Sequence, residues 1–201
     1  ATQSGALSIE GENGASWDLT VIEDTPPEVE LTGPVEQDAM GEMSQPFRAF
    51  DDYGVESGTA TIALDSLGVD RSHGLAIAPD PREPLILDLP MPFNGDRTDF
   101  EDFLIDNLSE HPLANLPVTL MMEVTDAAGQ SSASPPEQLV LPGRRFFQPF
   151  AKAIIEQRRD LMWSHENARR IVQVMKALSH RPEGLFSNET TYLRMRLIIR
   201  R

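Results

Sequence analysis

Cysteine is absent from this sequence of 201 residues. Its absence excludes a disulfide framework, every thiolate metal site and every cysteine nucleophile. Aromatic residues are scarce as well, at 6% of the chain with two Trp and two Tyr. Together with 16 Pro and 13 Gly, this composition favours short strands and turns over the first two thirds of the chain. Hydrophobic residues make up 40% of the chain, enough for a substantial buried core.

Long apolar runs are also missing. No stretch approaches the roughly 18 consecutive apolar residues of a membrane-spanning helix. The first residues lack the charged and apolar regions of a signal peptide. The sequence begins with Ala1 rather than Met and ends in Arg201. We therefore expect it to be part of a longer protein, and any contact with a membrane to come from the other segments of that protein.

Basic residues are rare in the first two thirds of the chain. Residues 1–141 hold 27 acidic residues against 4 arginines, a net charge of −23, whereas residues 142–201 hold 5 acidic against 13 basic residues, a net charge of +8. This division predicts that the basic part docks on the acidic part, or that each part faces a different partner. A solvated acidic surface followed by a helical tail would also account for it.

The clearest pattern that is present surrounds residues 46–64, where apolar and polar residues alternate on both sides of the sequence Asp-Asp-Tyr-Gly. Alternation of period two predicts two strands of a sandwich. In the turn between them, Asp51 or Asp52 can cap backbone amides, and Gly54 can adopt a positive φ. A second copy of the pattern occupies residues 118–132, where the acidic turn runs from Asp126 to Gly129.

The predicted fold class is mainly β, an Ig-like β-sandwich followed by a C-terminal helical segment. Residues 26–142 would form the sandwich, with roughly seven short strands separated by turn signals. The Cys and Trp hallmarks of antibody domains are missing, so only the general architecture is predicted. Residues 1–25 carry two short alternating runs around Asn13 and Gly14, which predicts a hairpin that belongs to the sandwich or ends a preceding domain.

Residues 96–108 depart from the strand pattern. Thr98 is a candidate cap for a short helix, in which Phe100, Phe103, Leu104 and Leu108 would share one face. The acidic residues of this segment would then lie near a helix N-terminus, which favours negative charge. We expect a short helix here rather than a metal site.

At residue 143 the hydrophobic period changes from two to 3.6, and residues 143–201 are predicted to form a basic helical extension. Pro149 suits only the first turn of a helix, and Ser164 is a candidate cap for the next one. A third helical run carries an apolar stripe through Met195. These stripes need cover from the sandwich, from each other or from a second copy. The candidate interaction residues are Phe147, Phe150, Ile154, Arg158, Ile171 and Met175.

The aspartates of the two acidic turns are candidate calcium ligands. Calcium prefers clustered carboxylate and carbonyl oxygens, which Asp51, Asp52 and Asp126 can supply. The alternative is that each aspartate only caps backbone amides in its turn. The four histidines are scattered and lack the spacing of zinc ligands. We predict no cofactor, with calcium as the one open possibility.

No recognised catalytic pattern is present: the sequence has no nucleophile elbow and no phosphate-binding glycine-rich loop with lysine. We therefore predict that the chain is not an enzyme. Paired arginines in the extension would suit a nucleic acid, but the strongly acidic remainder repels phosphate. Anionic lipid is a second alternative for these arginines. The favoured interpretation is that they solvate helices whose apolar stripes contact a protein partner or a copy of the chain.

Four segments occur here in one order that is similar to a known family: residues 47–55, 106–118, 125–130 and 144–161. The last of them, from Arg-Arg-Phe-Phe to Arg-Arg-Asp-Leu, is the most specific. Over residues 17–201 the chain resembles a family of large bacterial proteins of unknown function, of the alphaproteobacterial type. The resemblance implies an inner-membrane-anchored parent with an Ig-like region in the periplasm, and it implies no catalytic or binding residues.

The predicted function is a non-enzymatic interaction or spacer module in the periplasmic part of a membrane-anchored protein. Its partner would be a protein, or a copy of the chain bound through the helices. A sandwich that binds calcium or a cell-wall glycan through its acidic loops is the alternative, and a hydrolase with an unrecognised site is the third reading.

Overall fold

A computed structural model describes residues 4–9, 11, 14–69, 78–180 and 189–200. Within those residues the chain forms eleven strands and then three α-helices. The strands are β1 (Gly5–Ile9), β2 (Ala15–Leu19), β3 (Glu28–Leu31), β4 (Glu36–Gln37), β5 (Met43–Phe50), β6 (Val55–Leu64), β7 (Leu85–Asp88), β8 (Asp99–Asp106), β9 (Pro117–Asp126), β10 (Ser131–Ala133) and β11 (Glu137–Val140). The helices are α1 (Pro149–Trp163), α2 (Ala168–Leu178) and α3 (Glu189–Arg200), with a 3₁₀ turn (His165–Asn167) between the first two.

Strands β3 to β11 form two antiparallel sheets. In the first sheet, β5 pairs along its full length with β8, and β3 and β4 follow one another along its other edge. In the second, β6 pairs with β9, β7 covers the free edge of β6, and β10 and β11 lie along β9. The predicted architecture of a β-sandwich with a helical extension is confirmed.

The alternating pattern of the sequence sets which residues lie between the sheets. On β9, Val118, Leu120, Met122 and Val124 are all buried, and the residues between them are half-buried or exposed. Opposing them, β5 buries every second residue, including Phe47, whose ring meets that of Phe100 edge to face at 6.3 Å and 82°. Full burial of one such side chain stabilises the fold by about 1.5–3 kcal/mol, so this layer is the main source of stability.

The two acidic turns have the predicted form. Gly54 has a φ of 108°, and its amide donates to the Asp51 carboxylate at 2.6 Å. Gly129 has a φ of 83°, and its amide donates to the carbonyl of Asp126 at 3.3 Å. The two turns make different connections. The first crosses from one sheet to the other, whereas the second closes a hairpin between the paired strands β9 and β10.

The prediction of a helix within residues 96–108 is wrong, because Asp99–Asp106 forms the strand β8. Phe100 and Leu104 lie four residues apart, so they can share a helix face or the inner face of a strand. Pairing with all of β5 selects the strand. Phe103 is then 53% exposed, and the acidic residues lie along a strand and not at a helix N-terminus. Thr98 caps nothing here; its amide donates to Asp96 at 2.9 Å.

The predicted N-terminal hairpin is confirmed, since β1 and β2 pair with Ile9 opposite Ala15. Asn13, expected in its turn, lies outside the described residues. Both described strands are exposed along their length, including Trp17 at 48%. In the described part of the chain these two strands form a sheet of their own.

The extension is helical, as predicted. Helix α1 begins at Pro149, in the first-turn position that proline tolerates, so Phe147 precedes the helix. Ser164 ends α1 and accepts the amide of Glu166 at 3.3 Å, which confirms it as the cap of the 3₁₀ turn that leads into α2. The N-cap position of α2 itself is Asn167. Ile171 of α2 and Met195 of α3 are buried. Among the helices that the structure describes, none combines the length and the apolar character needed to span a bilayer.

The extension is attached to the sandwich near the end of α1. Trp163 is 6% exposed and belongs to the same buried cluster as the sheets. Asp80 borders it: its amide donates to the Trp163 carbonyl at 2.8 Å, and its carboxylate accepts the Ser164 hydroxyl and the His165 amide, both at 2.9 Å. The attachment therefore combines apolar burial with specific hydrogen bonds.

Gly41 packs against the start of the extension. It is buried with a φ of 86°, and a Cβ at this position would lie 2.7 Å from the backbone of Gly143 and of Arg144. Any larger residue would have to push the segment that leads into α1 away from the sandwich.

We expect Gly41→Ala to destabilise the protein more than Gly129→Ala. Gly129 has nearly the same φ but nothing within 4 Å of an added Cβ, so its replacement costs only the left-handed backbone, roughly 1–2 kcal/mol. At Gly41 the same strain is joined by overpacking, about 1–3 kcal/mol more. Urea denaturation of both variants measures the difference. Equal losses would show that the contact with residues 143 and 144 contributes nothing.

We expect Asp80→Asn to loosen the extension. The His165 amide, with the His165 ring and Ser164, holds the pKa of Asp80 below its usual 3.8. A lowered pKa means that the contact stabilises the fold above about pH 4 and is lost as the pH falls through the folded-state pKa. In a Trp17→Phe background, Trp163 is the only tryptophan. Its emission should shift to the red at lower urea in the Asp80→Asn variant at neutral pH.

The matched control is Asp96→Asn, because the pKa of Asp96 is also lowered, by the Thr98 amide, in a turn of the sandwich. The Asp80 contribution should fade as the pH falls below about 4 in the parent, because the pKa of Asp80 is lowered from its usual 3.8. This pH dependence should be missing from the Asp80→Asn variant. Identical urea midpoints for the two variants at neutral pH would contradict the assignment.

Candidate functional site

A groove of about 640 Å³ lies where the extension meets the sandwich. One wall is the crossover between β8 and β9, the other is α1, and residues 144–147 form the floor. We call it the basic groove. It is lined by Ser109, Glu110, Pro112, Ala114, Asn115, Arg144, Arg145, Phe146, Phe147, Lys152, Ile155, Glu156, Arg158 and Arg159.

The crossover wall is held by its own turns. The amide of Ala114 donates to the carbonyl of His111 at 3.0 Å, and the amide of Asn115 donates to the carbonyl of Leu141 at 2.8 Å. Asn115 has a φ of 61°, a left-handed conformation that asparagine tolerates better than most residues. Its side chain lies so close to Gly143 that a Cβ there would be 2.2 Å away. These contacts fix the floor against the wall.

Positive charge dominates the basic groove. Five lining side chains are arginine or lysine and two are glutamate. The Arg158 guanidinium donates to the Glu110 carbonyl and so ties α1 to the crossover. Arg144, Arg145 and Lys152 are exposed, and none of them forms a salt bridge within the described residues. Groups of this kind hold carboxylates or other anions.

Two titratable groups beside the groove are affected by burial. The pKa of His111 is lowered, first by burial and then by the charges of Arg82 and Arg158. The pKa of Asp160 is raised by burial, which outweighs the opposing effect of Arg159 and Arg170. His111 is therefore neutral at neutral pH, and its Nδ1 accepts the Leu113 amide at 3.2 Å.

The predicted interaction residues are divided between the groove and the helix contacts. Phe147, 85% exposed, and Arg158 line the groove. Phe150, Ile154 and Met175 are half-buried, and Ile171 is buried on α2. The sequence interpretation missed the crossover wall, because residues 109–115 precede α1 by more than 30 positions and carry no periodic signal.

The three predicted calcium ligands lie at the opposite end of the sandwich, near a fourth aspartate. Asp51 and Asp126 are 5% and 3% exposed, respectively. Asp52 is exposed and accepts the Thr25 hydroxyl at 3.1 Å. Asp24 lies beside them: its carbonyl accepts the Gln130 side chain at 3.5 Å. We call these four residues the acidic junction.

Charges within the acidic junction act on one another. The pKa of Asp24 is raised by burial and by the charges of Asp52, Asp126 and Asp51, against a lowering by Gln130. Asp24 was missed from sequence because it precedes two prolines in what looks like a plain linker. Within the described residues, no three acidic or histidine side chains already converge closely enough to hold a metal ion.

Two further acidic residues, Asp99 and Glu30, lie beside a basic side chain of the sandwich. Asp99 receives two hydrogen bonds from the Arg48 guanidinium, both at 2.7 Å, and this contact lowers the pKa of Asp99 and raises that of Arg48. Arg48 also lies 3.7 Å from Glu30. This cluster on β3, β5 and β8 is therefore satisfied by its own ion pairs.

Comparison with known proteins identifies a family for the chain without assigning it a chemistry. No curated protein matches the sequence. A family model described as a domain of unknown function, DUF4175, matches residues 1–201. With its two acidic turns, its basic groove and its helical extension all inside the matched residues, the chain belongs to the DUF4175 family.

Proposed function

We propose that this chain is a non-enzymatic interaction module, and that the basic groove binds an acidic segment of a partner protein. The observation that carries the proposal is the groove itself. In a chain whose net charge is −15, it gathers five basic side chains beside an exposed aromatic ring.

The lining residues favour binding over chemistry. Arginine remains protonated at any physiological pH, so it recognises carboxylates and does not act as a base. Arg144 and Arg145 are exposed, and Phe147 offers a large apolar surface next to them. A volume of about 640 Å³ lies within the range of ligand-binding clefts and suits a few side chains of an extended or helical segment.

The setting we propose is a longer, membrane-anchored protein with this region in the periplasm, serving there as an interaction or spacer module. The support is the resemblance carried by the segments at residues 47–55 and 144–161. We also infer that the sandwich is Ig-like. Leaving aside the two-residue strand β4, strands β3, β5 and β8 share one sheet, and strands β6, β9 and β10 share the other. Strands A, B and E and strands C, F and G are divided in this way in immunoglobulin-type domains.

We expect the double variant Arg144→Glu with Arg145→Glu to weaken binding of an acidic peptide by roughly tenfold or more, since two attractive contacts become repulsive. The probe is a fluorescein-labelled ten-residue peptide with five Glu and two Phe, followed by fluorescence anisotropy at low salt. Binding to the parent chain should also weaken as salt is raised through 0.5 M.

The control is Arg169→Glu with Lys176→Glu, which changes the net charge equally on exposed positions of α2 outside the groove. This variant should bind nearly as the parent does. Equal weakening by both double variants would show that only the overall charge matters, and failure of the parent chain to bind the peptide would overturn the proposal.

A further inference from the structure

We propose that Asp24, Asp51 and Asp126 form a calcium site at the acidic junction, with the exposed Asp52 as a further ligand. The site lies at the other end of the sandwich from the basic groove, and the inference does not depend on the function proposed for that groove.

The first argument is the state of the two buried aspartates. In each, one carboxylate oxygen serves its own turn: Oδ2 of Asp51 accepts the amides of Tyr53 and Gly54, at 3.1 and 2.6 Å, and Oδ1 of Asp126 accepts the amide of Gln130 at 2.7 Å. The other oxygen of each is buried and has no hydrogen-bond partner among the described residues. Capping therefore explains one oxygen of each carboxylate. Burial of the other oxygen is costly unless a hydrogen-bond donor or a cation pairs with it.

The second argument is that a third oxygen of the same kind comes from another segment. Oδ1 of Asp24 is also buried without a described partner. Gln130 links Asp24 to the turn of Asp126, because its side chain donates to the Asp24 carbonyl at 3.5 Å and its backbone amide donates to the Asp126 carboxylate at 2.7 Å. Three separate stretches of chain, around residues 24, 51 and 126, thus each bring a buried carboxylate oxygen without a described partner to this end of the sandwich. If each aspartate served only to cap its own turn, nothing would require the three aspartates to lie at the same end of the sandwich.

The third argument concerns neutralising charge. Arg48 is the basic residue that shares a lining with Asp51 and Asp52, in a neighbouring cavity of about 440 Å³. Its guanidinium is bound to Asp99 and lies near Glu30. It is thereby committed to another pair of carboxylates, and the acidic junction retains its negative charge.

The chemistry of these ligands points to calcium. They are all oxygen atoms on irregular turns, and calcium accepts six to eight oxygens in flexible geometry, whereas magnesium demands a near-ideal octahedron. The cavity next to Asp51 leaves room for water ligands. Because the carboxylates do not yet converge on one point, binding must draw them together, and we expect a Kd of about 10⁻⁴–10⁻³ M, as in extracellular modules.

Bound calcium would restrain the linker between β2 and the first strand of the sandwich, β3. Asp24 lies between β2 and β3, directly before the stretch that contains Pro26 and Pro27. A cation shared with the turns at Asp51 and Asp126 would fix this segment to the body of the sandwich and so set the direction in which the preceding hairpin leaves it.

The test is isothermal titration of the full chain with calcium chloride, together with thermal unfolding in 10 mM calcium, in 10 mM magnesium and in chelator at matched ionic strength. We expect calcium to raise the unfolding temperature by about 3–11 °C over chelator, and magnesium to raise it by less. Asp24→Asn should abolish the calcium shift. In chelator this variant should unfold at the parent's temperature or above, because it removes one of several mutually repelling charges.

The control is Asp65→Asn. Asp65 also caps a turn, by accepting the amides of Leu67 and Gly68, but it lies outside the acidic junction and should leave the calcium shift intact. Coincident unfolding of the parent in calcium and in chelator would overturn the proposal and assign the buried oxygens to water or protons. An unchanged calcium shift in the Asp24→Asn variant would overturn it equally.

Discussion

The packing of β5 and β9 across the core is the constraint on which the rest of the structure depends. Because each strand buries alternate residues, its register is fixed, and a slip of one position would expose Phe47 or Leu120. That register determines where the chain reverses. The turns after Phe50 and Asp126 fall at one end of the sheets, since Asp126 lies opposite Val55. The crossover and the start of the extension fall at the other end.

The parts of this arrangement that could be predicted from sequence are those encoded locally. Alternation gave the central strands, and the acidic turns with their glycines followed from residues that are neighbours in sequence. The segment of β8 misled the prediction because Phe100 and Leu104 fit a helix face as well as a strand face, and the choice is made by pairing with β5, some 50 positions away. Both candidate sites share this difficulty, since the groove combines residues 109–115 with α1 and the acidic junction adds Asp24.

The division of charge along the sequence allowed two interpretations, a basic extension docked on an acidic domain or two surfaces for two partners. The described contacts that attach the extension include the burial of Trp163 and the hydrogen bonds of Asp80. They also include the packing of Gly41 against Gly143 and the bonds from Arg82 and Arg158 to the carbonyls of Met162 and Glu110. Of these, only the contact of His165 with Asp80 joins groups that can carry opposite charges. Arg144 and Arg145 remain exposed, and this exposure supports the proposal that the positive charge serves a separate acidic partner.

The register also places the two candidate sites where they need not interfere. Glu28 pairs with Phe50, so the chain enters the sandwich beside the acidic junction, while the extension leaves from the end where Gly41 meets Gly143. A cation at the point of entry would alter the direction of the preceding segment and leave the groove unchanged, because the closely packed core lies between them. A module built in this way can hold the preceding hairpin in a fixed direction at one end while its groove binds a partner at the other. The first property suits a spacer, and the second suits an interaction domain.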